Sequence, residues 1–86
     1  MTHRSAEQRL RHIVAHVAHV PPDSFALDDE LAIELGLDSL SVLRVVAGVE
    51  REFGMTIEDE RLHDLQTLRA ILVYLEQAAG AGPHTA

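Results

Sequence analysis

Apolar residues recur along this chain at the three-to-four-residue spacing of helices, and no stretch alternates as a strand does. Four helical segments emerge. In the first, Leu10, Ile13, Val14 and Val17 fall at i, i+3, i+4 and i+7, one apolar stripe. Ser5-Ala-Glu-Gln8 precedes it with capping-box form, so Ser5 caps the start while Gln8 reaches back. Pro21-Pro22 end this helix by about residue 19, because neither proline donates the next hydrogen bond. The second segment spans about Ser39 to Phe53 and closes on Gly54, a residue suited to a helix C-terminus. A short third helix is expected from Asp59 to about Leu65. The fourth starts near the potential cap Thr67, carries Leu68, Ile71, Leu72 and Leu75 on one face, and is expected to stop at Gly80.

Between the first two segments runs PPDSFALDDELAIELG, a long connection for so small a chain. Phe25, Leu27, Leu31 and Leu35 are too many apolar residues for a freely solvated linker. The connection is therefore expected to lie across the helices and insert side chains among them. The expected architecture is an all-α four-helix bundle with a long first loop and a short third helix. One domain covers residues 1–80, and the tail 81–86, with nothing to bury, is expected to be disordered.

A helical wheel of the second segment, at about 100° per residue, separates two faces. Val42, Val45, Val46, Val49 and Phe53 cluster toward the core. Leu40 lies nearly opposite, with Leu43 and Ala47 along the same seam, Arg44 and Arg51 flanking, and Ser41 and Gly48 nearby. Gly48 is unusual, since a mid-helix glycine costs about 1 kcal/mol relative to alanine. Either a partner's backbone approaches there or the residue has no role; the pattern alone leaves both open.

Composition narrows the function. The 86 residues fit one small domain, and 47% hydrophobic with 24% charged residues is ordinary for a globular protein. Without cysteine there is no disulfide, thiolate nucleophile or Cys-ligated metal. No stretch approaches the roughly 20 apolar residues that span a bilayer, and a cytoplasmic location is expected. Fourteen acidic residues against seven basic ones give a net charge of −7, which argues against a nucleic-acid partner. His12, His16 and His19 share the polar side of the first segment; an i, i+4 pair can bind zinc, but no acidic or thiolate ligand joins them, so a solvated face is the expectation and no metal site is assigned.

The chemistry concentrates on Gly36-Leu37-Asp38-Ser39-Leu40, at the junction of the long loop and the second helix. A hydrolase elbow, Gly-x-Ser-x-Gly, requires glycine where Ser41 stands, and a sheet to hold it. Hydrolysis is excluded on both grounds, and no catalytic residue is assigned. Two readings remain for Ser39. Asp38 or Ser39 can simply cap the helix. Alternatively, Ser39 carries a phosphodiester, which the free N–H groups and partial positive charge of a helix N-terminus tolerate.

Leu35-Gly36-Leu37-Asp38-Ser39-Leu40 resembles the phosphopantetheine attachment motif of the acyl carrier proteins. The likeness continues through Val49-Glu50-Arg51-Glu52-Phe53-Gly54 and Ile57-Glu58-Asp59-Glu60 to Thr67 and Tyr74-Leu75, roughly residues 5 to 79. The resemblance implies a bundle of acyl-carrier type that catalyses nothing itself. It implies 4′-phosphopantetheine, covalently attached to Ser39 from coenzyme A by a phosphopantetheinyl transferase, its thiol holding acyl groups as thioesters. Implied partners are that transferase and acyl-loading or processing enzymes such as a ketosynthase, acyltransferase or acyl ligase; membrane insertion is not implied, and a monomer is expected. Asp38, Leu40, Leu43, Arg44, Ala47 and Arg51 are the implied recognition residues around the attachment point. Val46, Val49, Leu62, Ile71 and Leu75 are candidates to line an acyl pocket, with plain core packing as the alternative.

The chain departs from the family at Ser41, Arg44 and Arg51, which stand where fatty-acid-synthesis carriers usually have acids. An arginine there reverses the local field toward a basic partner patch. A dedicated pathway, polyketide or other secondary-metabolite assembly, is expected in place of housekeeping fatty-acid synthesis. An aminoacyl or peptidyl carrier is the nearest alternative, although Leu37-Asp38 before the serine favours the acyl type. An unmodified helical adaptor, with Ser39 only a cap, is the alternative of another class.

Overall fold

The computed structural model describes residues 5–80; the tail expected over 81–86 lies outside them. Five helical elements follow in order: α1 (Ala6–Ala18), α2 (Leu31–Glu34), α3 (Ser39–Phe53), a 3₁₀ helix (Asp59–Asp64) and α4 (Leu68–Gly80). The fold is all-α, with one isolated antiparallel bridge between Glu30 and Thr67 among the described residues.

The helix ends follow local chemistry. Ser5 and Gln8 form a reciprocal capping box, with Ser5 N–H donating to Gln8 Oε1 at 3.0 Å and Gln8 N–H to Ser5 Oγ at 3.1 Å. At the far end of α1 the chain turns left-handed at His19, with φ 60°, and Val20 N–H closes onto Ala15 O at 3.1 Å. Helix α3 ends the same way: Gly54 has φ 63° and Met55 N–H donates to Glu50 O at 3.1 Å. Thr67 caps α4 through Oγ1, which accepts from Ala70 N–H at 3.1 Å. The described part of α4 includes Gly80, so the stop expected there is not reached within the described residues.

The core sits where α1, α3 and α4 meet. Leu10 and Val14 from α1, Val45 and Val49 from α3, and Leu68 and Ile71 from α4 are fully buried, each such side chain contributing roughly 1.5–3 kcal/mol by leaving water. Val46 is buried beside them, while Val42 and Phe53 pack half-buried at the margin. The valine face of the wheel is thus the core face.

Gly48 does not belong to the outward face. A Cβ built on it would stand 2.8 Å from Ile13 Cγ2, so α1 and α3 approach too closely here for a larger residue to fit without a shift. Its lost helix propensity is exchanged for a close crossing within the domain. Across the same crossing Arg9 donates from Nε to Glu52 Oε2 at 2.8 Å and from Nη2 to Glu52 O at 2.9 Å, while its guanidinium lies 4.3 Å from the Phe53 ring centroid.

The long first loop is strapped down on both sides, as its apolar content predicts. Phe25 and Leu31 are buried and Leu27 and Leu35 half-buried. Arg11 Nη1 donates to Pro22 O at 3.0 Å and to Phe25 O at 2.7 Å. On the opposite side Arg69 N–H donates to Leu27 O at 3.0 Å, and Leu31 N–H to Gln66 O at 2.9 Å. Two features differ from expectation. One helical turn, α2, lies inside the loop, and the third helix is 3₁₀. Both are too short for periodicity to register, and the first N–H of α2, that of Leu31, donates to the sequence-distant Gln66 O.

Candidate functional site

The loop reaches α3 through a turn that only glycine makes readily. Gly36 has φ 68°, and nothing lies within 4 Å of where its Cβ would be, so the requirement is conformational. That turn lets Leu37 bury its side chain while Leu37 N–H donates to Leu31 O at 3.2 Å. The next residue, Asp38, is extended at φ −80° and ψ 178° and is the N-cap of α3. Its Oδ1 accepts from Ser41 N–H at 2.8 Å.

This resolves which residue caps. Asp38 does, and Ser39 is the first residue inside the helix, exposed to solvent. Its hydroxyl takes part in none of the hydrogen bonds among the described residues. The Ser41 N–H, then the Ser41 hydroxyl, and to a lesser degree the Arg44 charge, hold the Asp38 carboxyl below its ordinary range against the cost of desolvation. Asp38 therefore stays ionised and committed to the backbone, leaving Ser39 Oγ available to an external reagent.

Beside Ser39 opens a groove of about 670 Å³ between the loop, the start of α3 and the 3₁₀ helix. Its walls are mostly apolar, with Leu31 and Leu37 from the loop, Val42 and Leu43 from α3, and Leu62 and Leu65 opposite. Glu30, Asp38, His63 and Gln66 supply polar edges. Of the five side chains considered for an acyl pocket, only Leu62 reaches this groove. Val46, Val49, Ile71 and Leu75 are buried members of the core cluster, and Leu75 also borders a separate groove near Phe53 and Met55. The wheel identified an interior face, which a packed core and a cavity wall share. Leu31 and Leu65 close the groove through tertiary placement, for which only the apolar excess of the loop gave a signal; His63 and Gln66 gave none.

The recognition residues separate into two groups. Leu40 is 60% exposed and Leu43 48%, an apolar pair directly after Ser39, while exposed Ala47 borders the second group. Arg44 and Arg51 are also exposed, but they stand on the side of α3 toward α1, bordering grooves that His16 shares.

The residues fit a covalent phosphodiester. An exposed hydroxyl with no internal partner sits on the first turn of a fifteen-residue helix, whose N–H groups favour negative charge, with an apolar trough alongside. Among the described residues no helix is long and apolar enough to cross a membrane, and no group of three or more His, Cys, Asp or Glu side chains is placed to hold a metal ion.

Comparison with known proteins agrees with this arrangement. Residues 8–75 match the phosphopantetheine attachment site family. The acyl carrier protein of Phaeodactylum tricornutum is 36% identical over 69 residues, which cover 80% of this chain and 91% of that protein. That of Kineococcus radiotolerans is 34% identical over 71 residues, 83% of this chain and 88% of its relative. That of Campylobacter hominis is 30% identical over 69 residues, covering 80% and 87%. With the match spanning most of α1 through α4, this chain belongs to the acyl carrier protein family, whose members bear covalent 4′-phosphopantetheine.

Proposed function

We propose that Ser39 is the attachment point of 4′-phosphopantetheine and that the protein carries acyl intermediates of a dedicated, secondary-metabolite type of pathway, polyketide assembly being the leading case. The observation that carries the first part is the division of labour at the α3 start. Asp38 satisfies the cap, and Ser39 Oγ is exposed without an internal partner. The arm supplies a terminal thiol that holds the acyl group as a thioester. The chain's own contribution is placement. Gly36 aims the junction outward, Asp38 fixes the first turn, and Leu40 and Leu43 give incoming enzymes an apolar contact beside the anchor. The groove faced by Leu62 is the first place for an acyl chain to shelter; deeper entry requires parting Val46, Val49, Ile71 and Leu75, which are packed together.

The pathway reading rests on Arg44 and Arg51 at the exposed edge of α3. Partners with basic docking surfaces meet like charge there, which costs affinity and on-rate. A phosphopantetheinyl transferase and enzymes of the ketosynthase, acyltransferase or acyl-ligase kind are the partners this function requires.

Incubation with coenzyme A and a broad-specificity transferase, followed by intact mass measurement, tests the attachment. One phosphopantetheine on the wild type and none on Ser39→Ala is the expected result. No addition to either protein, or equal addition to both, contradicts it. For the pathway, loading and elongation at normal rates by a housekeeping fatty-acid synthase set would overturn the reading.

A further inference from the structure

The described arginines divide sharply by what they touch. Arg9 pairs with Glu52, Arg11 with Glu7, Arg61 with Asp64 and Arg69 with Asp28. Arg44 and Arg51 form no ion pair among the described residues, although the whole chain carries a net charge of −7. They also stand together. Helices α1 and α3 run antiparallel, Arg9 near the start of α1 meeting Glu52 near the end of α3. Their tight crossing at Gly48 and Ile13 leaves two shallow grooves along the seam, of about 290 and 310 Å³. Both grooves are bordered by Arg44, Arg51 and His16; His12 borders one and His19 the other. Two arginines of α3 without an ion pair among the described residues, and three histidines of α1 and its C-cap, therefore line one strip beside the paired Arg9, floored by Val17. The only carboxylate bordering it, that of Glu52, is already bonded to Arg9.

We propose that this α1–α3 strip is a docking surface for an acidic segment of a partner protein. It is a surface distinct from the groove beside Ser39, and it names the partner chemistry of the carrier proposed above, on which its biological role rests. Charge complementarity and extent favour a polypeptide. Arg44 and Arg51 leave the helix two turns apart, about 10 Å along the axis, a spacing that carboxylates along a helix or strand can match. The strip is shallow and long, a shape that accepts an elongated partner. Opposite charge across it fixes partner register and accelerates encounter, while a basic partner is repelled.

The test uses the full chain, isotope-labelled for NMR, titrated at low salt with a decaglutamate peptide. Backbone amide shifts are expected at His12, His16, His19, Arg44, Ala47 and Arg51. Binding should weaken about tenfold or more in the R44E/R51E double variant, and fade near 1 M salt, where the screening length falls to about 3 Å. R44Q/R51Q, which removes charge without reversing it, should weaken binding by less and guards against misfolding of the first variant. Shifts confined to another face, no shifts at all, or equal binding by the variants overturn the proposal. So does a peptide without effect while inorganic phosphate moves the same amides, which would assign the strip to a small anion. The same wild-type sample, treated with coenzyme A and a transferase, keeps the two readings apart. A protein that accepts phosphopantetheine yet ignores the peptide contradicts the docking surface alone. One that binds the peptide on this strip but is never modified contradicts the carrier function alone.

Discussion

The two ends of α3 are built on opposite plans. At its C-terminal end most groups are tied, Arg51 excepted. Gly54 and Met55 close the last turn, Glu50 Oε2 accepts from Ile57 N–H at 2.8 Å, and Arg9 clamps Glu52 and Phe53 from across the crossing. At its N-terminal end the only side-chain tie is Asp38 to its own helix. Ser39, Leu40 and Leu43 face solvent, and a groove lies open alongside. A small domain has few residues to spare for rigidity, and on α3 the long-range side-chain ties among the described residues fall toward the C-terminal end. The other end remains accessible to enzymes.

That contrast is breakable in graded steps. Removing core packing has the largest effect: Ile71→Ala, at a fully buried position, should cost about 2–5 kcal/mol in denaturant unfolding. Next comes the crossing. Gly48→Ala gains up to about 1 kcal/mol of helix propensity but drives a methyl into Ile13 Cγ2, an overpacking cost of about 1–3 kcal/mol. Net destabilisation is expected. Because the clash is with one side chain, the loss should shrink when Gly48→Ala is combined with Ile13→Ala, the double variant being less destabilised than the sum of the two single variants in a double-mutant cycle. Arg9→Ala removes a half-exposed clamp from the tied end and should cost about 1 kcal/mol.

At the open end effects on stability are smaller. Asp38→Ala should lower Tm slightly by uncapping α3. The charge on Asp38 has a pH signature of definite sign. Its carboxyl is held below its ordinary range in the folded chain, so its contribution is fully present above the unfolded carboxylate pKa of about 3.9 and lost as pH falls through the lower folded value. Asp38→Asn keeps a capping side chain without that titration. Its stability should therefore fall less steeply than the wild type's below about pH 4. An unchanged acid profile would contradict the role given to Asp38. Ser39→Ala, on an exposed residue with no internal bond, should leave the unfolding curve where it was.

How much of this could be read from the chain depends on how far each interaction reaches. The Ser5–Gln8 capping box, the Gly54 stop and the Thr67 cap are contacts within a few residues, and their sequence signatures were sufficient. The valine face of α3 was legible because periodicity reports burial directly. Helix α2 was not, because its first bond goes to Gln66, and a four-residue helix has no period to detect. Gly48 was visible as an anomaly, but its reason, Ile13, lies on another helix. The same limit applies at the site. GLDSL marked the junction and left open whether Asp38 or Ser39 capped it. Only the placed carboxylate of Asp38 separates a serine that stabilises the helix from one whose hydroxyl is free. Likewise Arg44 and Arg51 stand out in the sequence as departures on one helix, but their grouping with His12, His16 and His19 depends on the antiparallel packing.

The most direct test of the open-end account is peptide mapping of the wild-type protein after treatment with coenzyme A and a transferase. Ser39 and Ser41 lie two residues apart on the same turn, and Ser41 is half-buried with its N–H bound to Asp38. All phosphopantetheine is expected on Ser39. Modification on Ser41, or a serine pair left unmodified while a known carrier is converted in the same mixture, would contradict it.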